Sequence, residues 1–150
     1  MNITIRKVNI QDVPAVSQLF DLYRIFYHKS SDLEAAQNFI KDRIQSNDSE
    51  IIIAENTDGA LVGFTQLYPS FSSTRMQRLW VLNDLYVLES FRGLGISKQL
   101  IDAAKKIAIQ TNACGVLLET SKTNTIGNQL YPSTGFELED DNNFYFWTNQ

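Results

Sequence analysis

Apolar and polar positions along this chain change rhythm several times, and each change marks an element. Residues 2–8 alternate, with Ile3 and Ile5 followed by the basic pair Arg6-Lys7, which predicts a first strand. From Val13 the period lengthens. Val13, Val16, Leu19, Phe20, Tyr23, Phe26 and Tyr27 keep the i, i+3, i+4, i+7 spacing of an amphipathic helix. Asp12 is placed to cap it, and Pro14 is tolerated in its first turn. Ser31-Asp32-Leu33-Glu34 has the form of a capping box opening a second helix, with the stripe Leu33, Ala36, Ile40 and Ile44.

Residues 50–55 read as a buried strand, and Asn56-Thr57-Asp58-Gly59 supplies hairpin-turn chemistry before a strand over 60–68. Residues 69–74 read as a loop and 77–88 as a long β-rich segment. A helix over 95–110 carries Ile96, Leu100, Ala104, Ile107 and Ala108 on one face. A short apolar strand at 115–120, a helix at 125–133 and a closing hairpin over 136–148 complete the chain. That hairpin would turn at the acidic run Glu137, Glu139, Asp140 and Asp141. The order β-α-α-β-β-β-α-β-α-β-β predicts one α/β or α+β sheet with helices on its faces. Strand, helix and strand across 80–120 form a βαβ unit, so its two strands should pair in parallel.

Composition narrows the class. A chain of 150 residues suits one domain spanning 1–150, able to bury roughly 70% of its unfolded surface without disulfide or metal staples. Apolar residues make up 43% and charged ones 20%, which excludes disorder and collagen-like repeats. The net charge of −4 divides evenly about Arg75, so neither half is the basic surface of a nucleic-acid binder. Cys114 and His28 are the only cysteine and histidine, which argues against a disulfide, a paired-cysteine zinc site or a His-rich metal cluster. The opening residues lack a charged lead followed by an apolar core, and 59–74 is too polar to span a bilayer. A soluble cytoplasmic protein with no membrane partner is the expectation.

The chemistry concentrates where the strand at 85–88 runs through Glu89-Ser90-Phe91-Arg92-Gly93-Leu94-Gly95 into the helix beginning Ile96-Ser97-Lys98. Amides of a first helical turn have no intrahelical partners, and the helix dipole favours an anion there. Two glycines let a phosphate or pyrophosphate approach, and Arg92 or Lys98 could add charge. The Walker and dinucleotide fingerprints are both absent, which argues against a phosphoryl transferase. Alone, the segment reads equally as a glycine loop capping a helix.

A second segment, residues 124–136, changes that balance: Asn124-Thr125-Ile126-Gly127-Asn128-Gln129-Leu130-Tyr131-Pro132-Ser133-Thr134-Gly135-Phe136. Together the two segments resemble the GNAT N-acetyltransferase superfamily. Arg92 to Ser97 match its Gln/Arg-x-x-Gly-x-Gly/Ala loop, and 124–136 match its Asn-x-x-Ala-x-x-Leu-Tyr-x-x-x-Gly-Phe stretch. Residues 63–73 and 80–87 are similar to a branch related to yeast histone and polyamine acetyltransferases. Ser97 replaces the usual Gly or Ala, Gly127 replaces Ala, and the neutral Asn83 stands where polyamine enzymes of similar pattern carry an acid.

The resemblance implies a mixed, splayed central β-sheet flanked by about four helices, and direct acetyl transfer from acetyl-CoA to an amine. The pyrophosphate would lie on Arg92, Gly93, Leu94, Gly95, Ile96 and Ser97. The pantetheine arm would run along Leu85, Tyr86 and Val87, with the Val87 N–H on the thioester oxygen. Tyr131 would protonate the leaving thiolate, and Asn124 would bond on the cofactor side. Read by themselves, Tyr131 is equally a buried aromatic and Asn124 equally an N-cap. Tyr27, Gln66, Tyr68, Asn83 and Asp84 are candidates for the acceptor site, with Tyr23, Phe26 and Phe71 as further aromatic walls or core. Glu55, Asp84 and Glu119 are candidate bases, each equally an ordinary carboxylate. The acceptor would be a small amine, an amino acid or a basic peptide. A homodimer through Phe144-Tyr145-Phe146-Trp147 is expected. The rival is a non-catalytic acyl-CoA sensor on the same fold.

Overall fold

The computed structural model describes residues 2–150. Its elements are β1 (Thr4–Lys7), α1 (Val13–Phe26), α2 (Leu33–Ser46), β2 (Glu50–Glu55), β3 (Leu61–Ser72), β4 (Gln77–Val87), α3 (Ile96–Gln110), β5 (Val116–Leu117) and α4 (Thr125–Ser133), with 3₁₀ turns at Ile10–Asp12 and Glu89–Phe91. The backbone divides into two compact units that part between Glu119 and Thr120.

In the first unit one sheet runs in the order β1-β2-β3-β4-β5. The first three pairings are antiparallel. β4 and β5 pair in parallel, as the βαβ reading requires, through Trp80–Val116 and Val81–Leu117. The fold is a mixed α+β architecture with four α-helices among the described residues.

Burial on both faces explains the unbroken apolar run of β2. Ile51 and Ile53 pack with Val16, Leu19 and Phe20 of α1, Ala36 and Ile40 of α2, and Phe64. Ile52 and Ala54 point the other way, against Val62, Val87, Ile96 and Leu100. The sheet is therefore sandwiched between α1 with α2 and α3. Arg6 ties the β1 edge down, pairing with Asp12 at 2.9 Å and Glu55 at 2.6 Å.

Several local expectations change. The cap of α2 is Asp32, whose carboxylate accepts from the Ala35 N–H at 3.1 Å. Ser31 instead donates to the buried Asp21 at 2.6 Å. Asp12 precedes α1 but makes no side-chain cap, because its carboxylate is taken by Arg6 and the Asn9 N–H.

Residues 69–72 continue β3 instead of forming a loop. β2 pairs with β3 only as far as Leu67, so beyond it β3 has a free edge. The Trp80 N–H donates to the Gly115 carbonyl, on the β5 side. Opposite Trp80, the nitrogen of Pro69 thus faces the free edge, where no ladder donor is needed. Arg78 stacks on Phe71 and Trp80 and holds the extended arm together.

In the second unit, α4 is the only helix, and no strand forms over 136–148. The acidic run interrupts the alternation, and a two-stranded hairpin is marginal without a sheet to lie on. Phe144, Tyr145, Phe146 and Trp147 are all exposed.

Candidate functional site

The site begins with a break in the sheet. β4 is paired with β5 only at Trp80 and Val81. From there to Val87 the β5-facing edge of β4 has no ladder partner among the described residues. A bulge sets what that edge presents. Gln66 pairs with Asp84 and Leu67 with Leu82, leaving Asn83 as the extra residue. Before the bulge, the Trp80 N–H faces β5; after it, the Leu88 N–H turns to the Val62 carbonyl of β3. Alternation then directs the N–H and C=O of Leu85 and Val87 to the open edge, and those of Tyr86 to β3. Without Asn83 the parity would be reversed.

That edge leads directly into the start of α3. Gly93 and Gly95 have φ of +77° and +80°, a backbone region costly for any other residue. Gly95 is the N-cap, and no side chain caps the helix. The first helical bond runs from the Gln99 N–H to the Gly95 carbonyl at 3.2 Å. The amides of Ile96, Ser97 and Lys98 thus precede the helix's own acceptors and form, with the dipole, a site for an anion. Ser97 is half-buried, and Leu94 and Lys98 are exposed. The donor set suits a pyrophosphate. Arg92 is directed elsewhere: its Nε donates to the Val87 carbonyl at 2.9 Å, and its guanidinium lies over the rings of Tyr86 and Phe26.

On the α1 face of β4 sits a buried carboxylate. Asp84 accepts from Gln66 Nε2 at 2.6 Å and from Asn83 Nδ2 at 3.0 Å. Desolvation by burial pushes its pKa up, against these hydrogen bonds and one from Tyr23. Gln66 is fully buried, and its Oε1 accepts from Ser49 at 2.9 Å. Tyr23 donates to the Asn83 carbonyl at 3.0 Å and meets the Tyr27 ring edge-on. Burial and the charge of Asp84 push the Tyr68 phenol up to about 12.

Other candidates fall elsewhere. Glu55 is paired with Arg6, and Glu119 is exposed. Phe71 lies on the β3–β4 arm, and exposed His28 follows α1 in a left-handed conformation. Cys114 is half-buried, its N–H on the Arg78 carbonyl. Tyr23 and Ser49 had carried no catalytic reading in the sequence; only the register of β3 on β4 brings them into this network.

In the second unit Asn124 caps α4, accepting from the Gly127 N–H at 3.1 Å and donating to Thr120 at 2.9 Å. Gly127 is not merely a weak helix former. A Cβ there would come within 2.5 Å of the Asn124 amide nitrogen. Tyr131, half-buried, packs edge-to-face on Phe136, whose N–H bonds to the Tyr131 carbonyl.

Comparison with known proteins converges on one family. The sequence pattern of the acetyltransferase (GNAT) family matches residues 16–136. The chain belongs to the GNAT acetyltransferases. It is 42% identical over 133 residues to the uncharacterized N-acetyltransferase YhfO of Bacillus subtilis, covering 89% of each chain. A crystal structure of a probable acetyltransferase superposes with a TM-score of 0.90 at 32% identity, over 100% of this chain and 99% of that one. AAC(6')-Iy in complex with the bisubstrate analog CoA-S-monomethyl-acetylneamine shares the fold, with a TM-score of 0.82 at 22% identity over 100% and 99% of the two chains. This GNAT enzyme carries its family's glycine loop at 92–97, with a serine in the last slot. No helix among its described residues is long and apolar enough to cross a membrane.

Proposed function

We propose that this GNAT enzyme, acting as one domain over 1–150, transfers an acetyl group from acetyl-CoA directly to a primary amine. The supporting observation is the open β4 edge at Leu85 and Val87 that runs into the uncapped amides of α3. Acetyl-CoA supplies an activated acetyl thioester and an anionic pyrophosphate. Amides from Gly93 to Ser97 hold the pyrophosphate, and Leu85 and Val87 pair with the pantetheine amides as a strand pairs with a neighbour. Tyr86 turns its own amide to β3 and contributes its ring beneath Arg92. The Val87 N–H, already fixed by the sheet, bonds to the thioester oxygen as negative charge grows on it.

The acceptor must attack as a free amine, yet a lysine-like ammonium is neutral in only about one molecule in ~2,500 at pH 7. We assign its proton to Asp84, which burial keeps ready to take one near neutrality. Roughly 10 Å of strand separates Asp84 from Val87 at about 3.3 Å per residue, so the proton reaches it through the Tyr23 hydroxyl or a water. Tyr27, Tyr68 and Asn83 complete the acceptor side, and aromatic rings suit a cationic substrate. To Tyr131 we assign protonation of the departing thiolate, which a phenol of pKa ~10 accomplishes readily. Asn124 acts by capping α4. The acceptor is a small molecule, an amino acid or a basic peptide; relatives at 29% identity include aminoglycoside N(6')-acetyltransferases. A cytoplasmic homodimer, with Phe144–Trp147 covered by a second copy, belongs to the same reading, and light scattering measures it.

The test is thiol release from acetyl-CoA against a panel of amines, amino acids and basic peptides, with Tyr131→Phe alongside. Turnover with at least one amine, and a kcat about 100-fold lower in Tyr131→Phe at unchanged acetyl-CoA affinity, supports the reading. Tight binding without thiol release above background would make the chain an acyl-CoA sensor. Absence of binding would overturn the cradle assignment.

A further inference from the structure

We infer that Ser49 and Gln66 form a buried positioning relay that orients the Asp84 carboxylate for proton transfer. The inference rests on the assignment of Asp84 as proton acceptor. Its basis is a single chain of hydrogen bonds, Ser49 Oγ to Gln66 Oε1 at 2.9 Å and Gln66 Nε2 to Asp84 Oδ2 at 2.6 Å. Neither Gln66 nor Asp84 has appreciable contact with solvent. Gln66 therefore cannot line an acceptor pocket; it acts on substrate only through Asp84.

The direction of the chain follows from donor chemistry. A carboxylate only accepts, so the amide must offer it Nε2, and Oε1 must then face Ser49, which donates. Ser49 precedes β2, and Gln66 and Asp84 are register partners on β3 and β4, so two ladders fix the spacing. Without the Ser49 hydroxyl, nothing in this chain opposes a half-turn of the amide that would set its oxygen against the carboxylate.

The groups facing Asp84 are few. From β3 come the Gln66 amide and the Thr65 hydroxyl, the latter on its backbone carbonyl. Tyr68 interacts with its charge and also feels Arg43 and Asp48. From α1 comes the Tyr23 phenol, and from β4 the Asn83 amide. Among the described residues no lysine or arginine forms an ion pair with Asp84. Hydrogen bonding thus carries the work an ion pair would do elsewhere, and the relay is its best-ordered part.

The experiment follows Asp84 in two ways in wild type, Ser49→Ala and Gln66→Glu: the acid limb of kcat/KM against pH, and the 13C shift of its carboxyl against pH. Asp84→Asn is the control, and melting curves with acetyl-CoA affinities verify folding. Ser49→Ala should raise the acid limb and the carboxyl titration together by about one pH unit, a tenfold change in proton affinity. Gln66→Glu, placing a second carboxyl against Asp84, should raise them further. Both should keep acetyl-CoA affinity within about twofold of wild type. A carboxyl titration unmoved in both variants overturns the relay, even where Asp84→Asn abolishes the limb and the base assignment stands. A limb that survives in Asp84→Asn overturns the base assignment instead, and the relay with it as a catalytic device, whatever the carboxyl titration shows.

Discussion

Arg92 reaches back across its own loop to bond the carbonyl of Val87, with Nε and oxygen 2.9 Å apart. The residue before the two left-handed glycines thereby closes the loop onto the strand it leaves. It also occupies the one acceptor that Val87 would otherwise offer at the open edge. A pantetheine arm at this edge must work with the N–H of Val87 and both groups of Leu85.

Arg92→Gln therefore frees the Val87 carbonyl and loosens the loop without touching any group given a proton-transfer role. KM for acetyl-CoA should rise about tenfold, with kcat within about threefold of wild type, since a hydrogen bond from a charged donor contributes about 1.5–3 kcal/mol. Initial rates across acetyl-CoA concentrations decide it. A variant that loses kcat alone would place Arg92 on the chemical step.

Asp84 sets stability against activity. Its pKa is raised by burial, so the native state binds this proton more tightly than the unfolded chain does. The sign follows from linkage: as pH rises above the ordinary carboxylate value, near ~4, the contribution of Asp84 to stability falls, and it levels off above the raised native pKa. Asp84→Asn lacks that loss, so its melting temperature relative to wild type should climb over the same window. Its kcat/KM at neutral pH should fall by about 10²–10⁴. Thermal unfolding from pH 4 to 8, with rates measured in parallel, tests both halves.

Asp12 and Asp21 show the opposite sign. Arg6 holds Asp12 below the usual carboxylate range, and Ser31 with the Asp32 N–H does the same for Asp21. Stability from these two is complete above the ordinary carboxylate value and is lost as pH falls through their depressed native values. Asp21→Asn should lower the melting temperature at pH 7 while making unfolding below pH 4 less steep. Melting curves between pH 2 and 7 show whether it does.

Gly127→Ala tests the crowding under Asn124. Helix propensity alone favours alanine by about 1 kcal/mol. The new methyl group displaces the Asn124 amide, and loss of an N-cap costs about 1 kcal/mol. The melting temperature should therefore stay level or fall. A clear rise would mean that the cap moves aside freely.

Helices and the glycine loop were legible in the chain because their signals are local. The stripe from Val16 to Tyr23 and the capping residues around 31–34 need only near neighbours, and even there the cap was displaced by one residue to Asp32. β3 was misjudged after Leu67 because Pro69 and the serines around Phe71 have the composition of a loop. Only the end of β2 pairing makes a proline acceptable there. The hairpin over 136–148 failed for the converse reason, an aromatic alternation read without a surface to receive it. The relay was out of reach altogether. Its partners lie 17 and 18 residues apart, and the bulge at Asn83 decides which of them meet.

The sheet has two unfinished borders, and the chain treats them differently. Along β3 past Leu67 the border is blunted by Pro69, which denies a passing strand one of its bonds. Along β4 from Leu82 to Val87 there is neither proline nor lysine to repel a visitor. Selection against clumping would guard both borders alike, so the unguarded one marks where docking is wanted. Its hazard is that a neighbouring molecule offers a strand as readily as a small ligand offers amides. The vacant protein is thus the form prone to self-association, and saturation with acetyl-CoA protects it by taking the berth first.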